Sequence, residues 1–134
     1  MQIEDIASLL KTKILNSSSF KLNKDYFFVA AAAITKKRDI LSIGFNSYTK
    51  THPKMLYYSS KVNNYNRIYL HAEISALVKS KKPVWGLVIV RVLKNKSLAL
   101  SKPCPTCQLA IKEAGCKFIW YTNNKSSLII KEKV

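Results

Sequence analysis

Apolar residues recur at helical spacing at the start of the chain, and the next segments have the pattern of strands. A helix is predicted over residues 3–15, with acidic residues in its first turn; its apolar side carries Ile3, Ile6, Ala7, Leu9, Leu10 and Ile14. The apolar run from Tyr26 to Thr35 and the shorter run from Ile40 to Phe45 predict two strands. The polar residues 36–39 between these runs predict a turn, so the two strands should form a hairpin.

The second half of the chain alternates between helical and strand patterns. Helices are predicted from Leu70 to Ser80 and from Cys104 to Gly115, strands from Val84 to Leu93 and from Lys117 to Thr122, and a final strand or short helix from Ser127 to Ile130. Alternation of this kind favours parallel pairing with right-handed crossovers, whereas the first hairpin is antiparallel. The prediction is an α/β fold: a three-layer α/β/α sandwich around a mixed five-stranded sheet, as one domain over residues 1–134.

A long segment from Asn46 to Arg67 separates the hairpin from the next helix and shows no clean periodicity. Connections of this length without regular structure are usually functional or mobile. The tyrosines in the segment favour order over disorder. We expect a flap or a short helix around residues 54–61.

Composition and charge narrow the class of protein. The first residues lack the pattern of a secretory signal, and the longest apolar stretch, from Tyr26 to Ile34, is too short to span a bilayer. We therefore expect a soluble, cytoplasmic protein without a membrane partner. The net charge is +16. This charge would attract phosphate-bearing ligands, and it would equally result from compositional drift in a proteome rich in lysine and asparagine.

Two short motifs carry the candidate chemistry: His71-Ala72-Glu73, and Cys104 and Cys107 within Pro-Cys-Pro-Thr-Cys. Each motif begins a predicted helix, and the two helix N-termini can face each other across one side of the sheet. Their positive ends would lower the pKa values of the thiols. One imidazole and two thiolates suit Zn²⁺.

The fourth coordination position is expected to stay open to water, as in catalytic zinc sites. Cys116 would lie about 18 Å from Cys104 along the helix, and His52 falls in the long segment, so neither is a good fourth ligand. Zinc lowers the pKa of a bound water to about 7. Glu73, two residues from His71, could take a proton from that water and deliver it to a substrate ring.

The pattern H-x-E followed by P-C-x-x-C is the signature of the zinc deaminases. On these residues, and along most of its length, the chain resembles the cytidine/deoxycytidylate deaminase superfamily. The resemblance implies zinc bound by His71, Cys104 and Cys107, Glu73 as the proton shuttle, and a homo-oligomer.

The resemblance also implies substrate contacts. Asn46 would contact the sugar, the backbone around Ala72 would meet the base edge, and Ser101 would lie near the exocyclic amine. An asparagine after a strand is also an ordinary turn residue. From the residues alone, Tyr121 could stack on a base or simply pack in the sheet.

Three functions remain open at this point. The first is deamination of a free cytosine nucleotide such as dCMP; the second is deamination of cytosine or adenosine in single-stranded DNA or RNA; the third is a non-catalytic, zinc-stabilised binding module. A closed pocket under the 46–70 segment would favour the first function. A basic stripe leading to the metal would favour the second.

Overall fold

The computed structural model describes residues 1–22, 28–123 and 129–134. In chain order, its elements are α1 (Ile3–Leu15), α2 (Ser18–Leu22), β1 (Phe28–Ile34), β2 (Ile40–Phe45), α3 (Pro53–Lys61), α4 (Ala72–Lys79), β3 (Gly86–Val92), β4 (Leu98–Ala99), α5 (Pro105–Glu113), β5 (Phe118–Thr122) and β6 (Ile129–Lys133).

The strands form one mixed sheet in the order β2-β1-β3-β5-β6, and β4 pairs with β3 at one end. Strand β1 runs antiparallel to both β2 and β3, so β2 and β3 point the same way with β1 between them. Strand β3 is parallel to β5, which forms an antiparallel pair with β6. Because β2, β3 and β5 run in the same direction, α4 and α5 both begin at the same end of the sheet. Helix α4 begins at the end where β2 finishes, and α5 begins at the end where β3 finishes.

Small side chains in β1 allow helices to approach both faces of the sheet. Ala30 and Ala32 lie in the apolar cluster that contains α1, and Ala31 and Ala33 lie in the cluster that contains Ala72 and other residues of α4. All four of these strand alanines are fully buried. Because alanine adds only a methyl group, the backbone of α4 can lie close to the strands. The first residues of α4 therefore pack directly on β1.

The segment between β2 and α4 is structured and tied at its base. Ser47 N–H donates to the carbonyl of Leu70, and Leu70 N–H donates to the carbonyl of Lys50, both at 2.9 Å. Helix α3 lies within the segment and buries Met55 against the cluster that contains Ile74 of α4. The expected short helix around residues 54–61 is therefore present.

The fold class predicted from the pattern is confirmed, with α1 on one face of a mixed sheet and α4 and α5 on the other. The sheet gains a sixth strand, β4, and the final element is a strand that extends to Lys133. The predicted ends at residues 26–27 and 127–128 lie outside the described residues. Within the described ranges, no helix has the length and apolar character needed to cross a bilayer.

Candidate active site

Two of the predicted metal ligands occupy the position immediately before a helix. His71 is the N-cap of α4 and Cys104 is the N-cap of α5, and neither side chain makes a capping hydrogen bond to its own helix. N-caps are normally Ser, Thr, Asp or Asn, whose oxygens accept bonds from the first helical N–H groups. Here the side chains at these positions turn toward each other instead, and the positive ends of two helices point at the same place.

The three predicted ligand atoms lie close together. Nδ1 of His71 is 3.6 Å from Sγ of Cys104 and 3.4 Å from Sγ of Cys107, and all three atoms lie within 4.8 Å of one another. A tetrahedral zinc with Zn–S of about 2.3 Å and Zn–N of about 2.0–2.1 Å requires S···N separations of about 3.6 Å. The residues present therefore fit a zinc ion without rearrangement.

The two thiols have opposite pKa shifts, because they contact each other. The hydrogen bond between the two sulfurs, with the help of His71 and against the effect of burial, lowers the pKa of Cys104 to about 3. The same hydrogen bond, together with burial, raises the pKa of Cys107 well above its ordinary value. A bound cation would stabilise both thiolates, as metal sites with cysteine ligands require.

Glu73 is buried in the first turn of α4, with 6% of its surface exposed. Burial raises the pKa of its carboxyl group, although its own backbone N–H and the His71 ring act in the opposite direction. Helix α4 is held tightly against β2, because Ser42 Oγ donates to the carbonyl of Ala76 at 2.6 Å. The carboxylate is therefore fixed beside the ligands, and it is not one of the three residues that form the metal group.

A cavity of about 370 Å³ opens directly onto this group. Its walls come from Val29 in β1, residues 46–48 after β2, residues 66–69 before α4, and residues 100–102 before α5. The long segment between β2 and α4 thus forms a large part of the wall. The volume lies in the range of pockets that enclose a single small ligand.

Three of the four predicted substrate contacts line this cavity: Asn46, Ala72 and Ser101. Asn46 Oδ1 accepts a hydrogen bond from Val29 N–H at 2.9 Å, which fixes the amide at the cavity wall. The Ser101 hydroxyl bonds into the protein and donates to the carbonyl of Ile89 at 2.8 Å.

The structure does not bring Tyr121 to the cavity as the described residues define it. The Tyr121 hydroxyl donates to Oε2 of Glu132 at 2.8 Å, and its ring packs in the apolar cluster under α4 and α5. Of the two roles predicted for Tyr121, stacking on a base and packing in the sheet, its position agrees with packing in the sheet.

The sequence reasoning did not identify the cationic side chains that line the cavity, Arg67, Arg91 and Lys102. The chain has only three arginines among 23 basic residues, and two of these three line the cavity. Arginine is the cation best suited to planar recognition of phosphate, so its rarity elsewhere makes these two positions informative.

The fold and the His-Cys-Cys group define an α/β protein with a candidate metal site and a buried carboxylate beside it. The sequence family described as the cytidine and deoxycytidylate deaminase zinc-binding region matches residues 4–123, and the chain belongs to that family. The protein is therefore a deaminase, and its metal is zinc. No curated protein sequence gives a significant match.

A solved structure supports the same fold. The cytidine deaminase from Mycobacterium tuberculosis is 18% identical over 86% of this chain and 79% of that chain, with a TM-score of 0.50. A glutamate-to-glutamine mutant of the same enzyme is 17% identical over 85% of this chain and 82% of that chain, with a TM-score of 0.48. At this identity, the similarity supports the fold alone.

Proposed function

We propose that this protein is a single-domain, zinc-dependent hydrolytic deaminase that converts a free cytosine nucleotide such as dCMP to the uracil form and releases ammonia. The observation that carries the proposal is the cavity at the His-Cys-Cys group, which is walled by residues 46–48 and 66–69. The cavity is open to solvent on one side, and its volume of about 370 Å³ is sufficient for one small ligand such as a nucleotide.

His71, Cys104 and Cys107 would hold the zinc, which when bound supplies a Lewis acid that makes a water nucleophilic near neutral pH. The Glu73 carboxylate accepts a proton from the attacking water and delivers it to the ring nitrogen next to the reacting carbon. The water oxygen bonds to that carbon, and the hydroxyl so formed gives its remaining proton to Glu73, which passes it to the exocyclic amine. The C–N bond then breaks, so that ammonia leaves and a carbonyl group remains on the ring. Asn46 and the backbone of Ala72 orient the sugar and base.

The charge around the cavity favours a phosphorylated substrate. Arg67, Arg91 and Lys102 line the cavity, whereas Glu73 is the one acidic residue among its described lining residues. Lys102 Nζ pairs with Oε1 of Glu132 at 3.5 Å, so its charge is partly balanced and the two arginines carry most of this argument. Cations around a concave site raise the local concentration of an anionic ligand and bond to its oxygens.

A second candidate substrate is cytosine or adenosine within single-stranded nucleic acid. Large side chains at the cavity mouth are exposed, namely Tyr48, Ile68, Tyr69 and Leu100. Aromatic side chains next to cations can stack on neighbouring bases of a strand. The net charge of +16 acts in the same direction.

The test is ammonia release by the purified zinc-loaded protein with dCMP, CMP, deoxycytidine and AMP, and with single-stranded oligonucleotides. We expect the highest kcat/KM for a cytosine monophosphate. Arg67→Gln should lower kcat/KM for the nucleotide by about tenfold and leave the nucleoside nearly unchanged, since it removes one charge-assisted contact. Glu4→Gln, an exposed change in α1, is the control. Preference for oligonucleotides would select the second candidate, and ammonia release from none of these substrates would reject both.

The resemblance also leads us to propose a cytoplasmic homo-oligomer. Light scattering on the zinc-loaded protein would test the assembly state, and a monomer mass across micromolar concentrations would contradict it.

A further inference from the structure

Two buried hydroxyl groups connect the end of β5 to the loop that leads to Cys104. Ser101 N–H donates to the carbonyl of Thr122 at 3.0 Å, and Thr122 N–H donates to Oγ of Ser101 at 2.8 Å. The two side-chain oxygens lie 2.9 Å apart. Ser101 is 5% exposed and Thr122 is 1% exposed, so water does not compete for these bonds. We name Ser101 and Thr122 the hydroxyl pair.

The hydroxyl pair also reaches two other strands. Ser101 Oγ donates to the carbonyl of Ile89 in β3 at 2.8 Å. Thr122 Oγ1 donates to the carbonyl of Ala99 in β4 at 2.6 Å and accepts from the backbone N–H of Arg91 at 3.3 Å. The pair therefore joins the ends of β3, β4 and β5 beside the cavity, and the buried backbone groups in this region depend on it.

The loop fixed by the hydroxyl pair forms one wall of the active site. Residues 100–102 line the cavity, and two residues later Cys104 provides a metal ligand. Thr122 itself is not among the described residues that line the cavity. An effect of Thr122 on the site must therefore pass through Ser101 and this loop.

We propose that Thr122 is a positioning residue for the deaminase site. Its hydroxyl fixes the position of the loop from Leu100 to Cys104 relative to the sheet, and the loop in turn positions the Cys104 thiolate and one wall of the cavity. The expected change in kcat rests on the proposed function. The expected change in zinc affinity rests only on the His-Cys-Cys group. Valine at this position keeps the shape of the side chain but removes the hydroxyl. The carbonyl of Ala99 and the N–H of Arg91 then lose their bonds to this side chain, and the loop is free to shift.

The experiment compares Thr122→Val with Thr122→Ser, which retains the hydroxyl. Thr35→Val is the matched control, because Thr35 Oγ1 accepts from Asp39 N–H at 3.0 Å in the β1–β2 turn, away from the site. Zinc dissociation constants are measured by competition with a chelator, and kcat and KM are measured at saturating zinc on protein shown to be folded. We expect about tenfold weaker zinc binding and a lower kcat in Thr122→Val, near-wild-type values in Thr122→Ser, and no change in Thr35→Val.

Wild-type zinc affinity and kcat in Thr122→Val would overturn the proposal, as would equal losses in Thr35→Val. If Thr122→Val does not fold, Ser101→Ala removes the same link from the other side, and unchanged zinc affinity in that variant would also overturn it. If the wild-type protein deaminates no nucleobase, the proposed function fails, and the zinc affinities still decide the role of Thr122.

Discussion

Gly44 determines how closely α4 approaches the sheet, so replacing it with alanine should move the Glu73 carboxylate. A β-carbon at this position would overlap the carbonyl oxygen of Ala72 and the backbone nitrogen of Ala76, and it would lie 2.7 Å from Cβ of Ser75. Carbon atoms in contact normally lie about 3.5–4.0 Å apart. The first two turns of α4 must therefore move away from β2 by about 1 Å in Gly44→Ala.

This displacement has two measurable consequences. Overpacking of a close-packed contact costs about 1–3 kcal/mol of unfolding free energy, which for a chain of this length corresponds to a Tm lower by about 4–12 °C. The same movement displaces Glu73 and His71, which lie at the start of α4. A misplacement of about 1 Å in a reacting group can reduce the rate by about 100-fold. We expect kcat/KM to fall by about this factor.

Steady-state kinetics of ammonia release, measured well below the Tm of each variant, would separate the two effects. Gly115→Ala is the control, since Gly115 has a φ of 80° and no atom lies within 4 Å of an added β-carbon. Alanine there strains the backbone by about 1–2 kcal/mol and lowers the Tm, but it leaves α4 in place. The reasoning is refuted if folded Gly44→Ala retains the wild-type kcat/KM, or if Gly115→Ala loses as much activity.

Two further predictions concern the chemistry of single side chains. Glu73→Gln should lower kcat by about 10²–10⁴-fold, because the proposed role of the carboxylate is to move protons. The zinc affinity should stay within a few-fold of wild type, because the carboxylate does not bind the metal. Ammonia release at the wild-type rate would exclude the assigned role. Burial raises the pKa of Cys116 from 9.0 to about 11, so the folded state keeps a proton that the unfolded chain loses between these values. The contribution of this thiol to stability is complete below pH 9.0 and is lost as the pH rises through about 11. Urea unfolding at increasing alkaline pH should therefore show a smaller decline in Cys116→Ala, and identical declines in both proteins would contradict this reasoning.

The parts of the fold that follow from local patterns could be predicted from the sequence. Helix α1 has its apolar residues at helical spacing, and β3 is, apart from Arg91, an apolar run whose residues are buried on both faces. The metal group was also predictable, because each motif combines its residue types with a helix start. For each helix, strand or motif taken singly, the pattern that predicts it lies within about a dozen consecutive residues.

The parts that depend on distant partners could not be predicted in the same way. Strand β4 has two residues and exists because Leu98 and Ala99 pair with the end of β3. The position of Arg67 at the cavity depends on how the 46–70 segment folds back, which no periodicity in that segment records. Tyr121 fits the pattern of a strand, but that pattern does not predict the hydrogen bond from its hydroxyl to Glu132 on β6. These features are set by tertiary packing, which overrides local preference.

The use of N-cap positions for metal ligands should make the stability of α4 and α5 depend on zinc. In α1, the N-terminus is capped within the chain, since Asp5 Oδ2 accepts from Gln2 N–H at 3.3 Å. His71 provides no such capping bond to α4, and Cys104 makes none of ordinary geometry to α5, although the backbone N–H of Cys107 lies close enough to lower the pKa of its thiol. A missing cap costs a helix about 1 kcal/mol, and a bound metal that fixes both N-caps would offset this cost.

Removal of zinc by a chelator should therefore loosen α4 and α5 at their first turns and leave α1 unchanged. Each kcal/mol lost raises the population of the open form by about fivefold, so amide hydrogen exchange at residues 72–75 and 106–108 should accelerate by about that factor or more. Residues 3–6 of α1 are the internal control, because their cap does not involve the metal. Equal acceleration in all three helices would indicate general destabilisation, and no acceleration in α4 and α5 would show that these N-termini are stable without the ion.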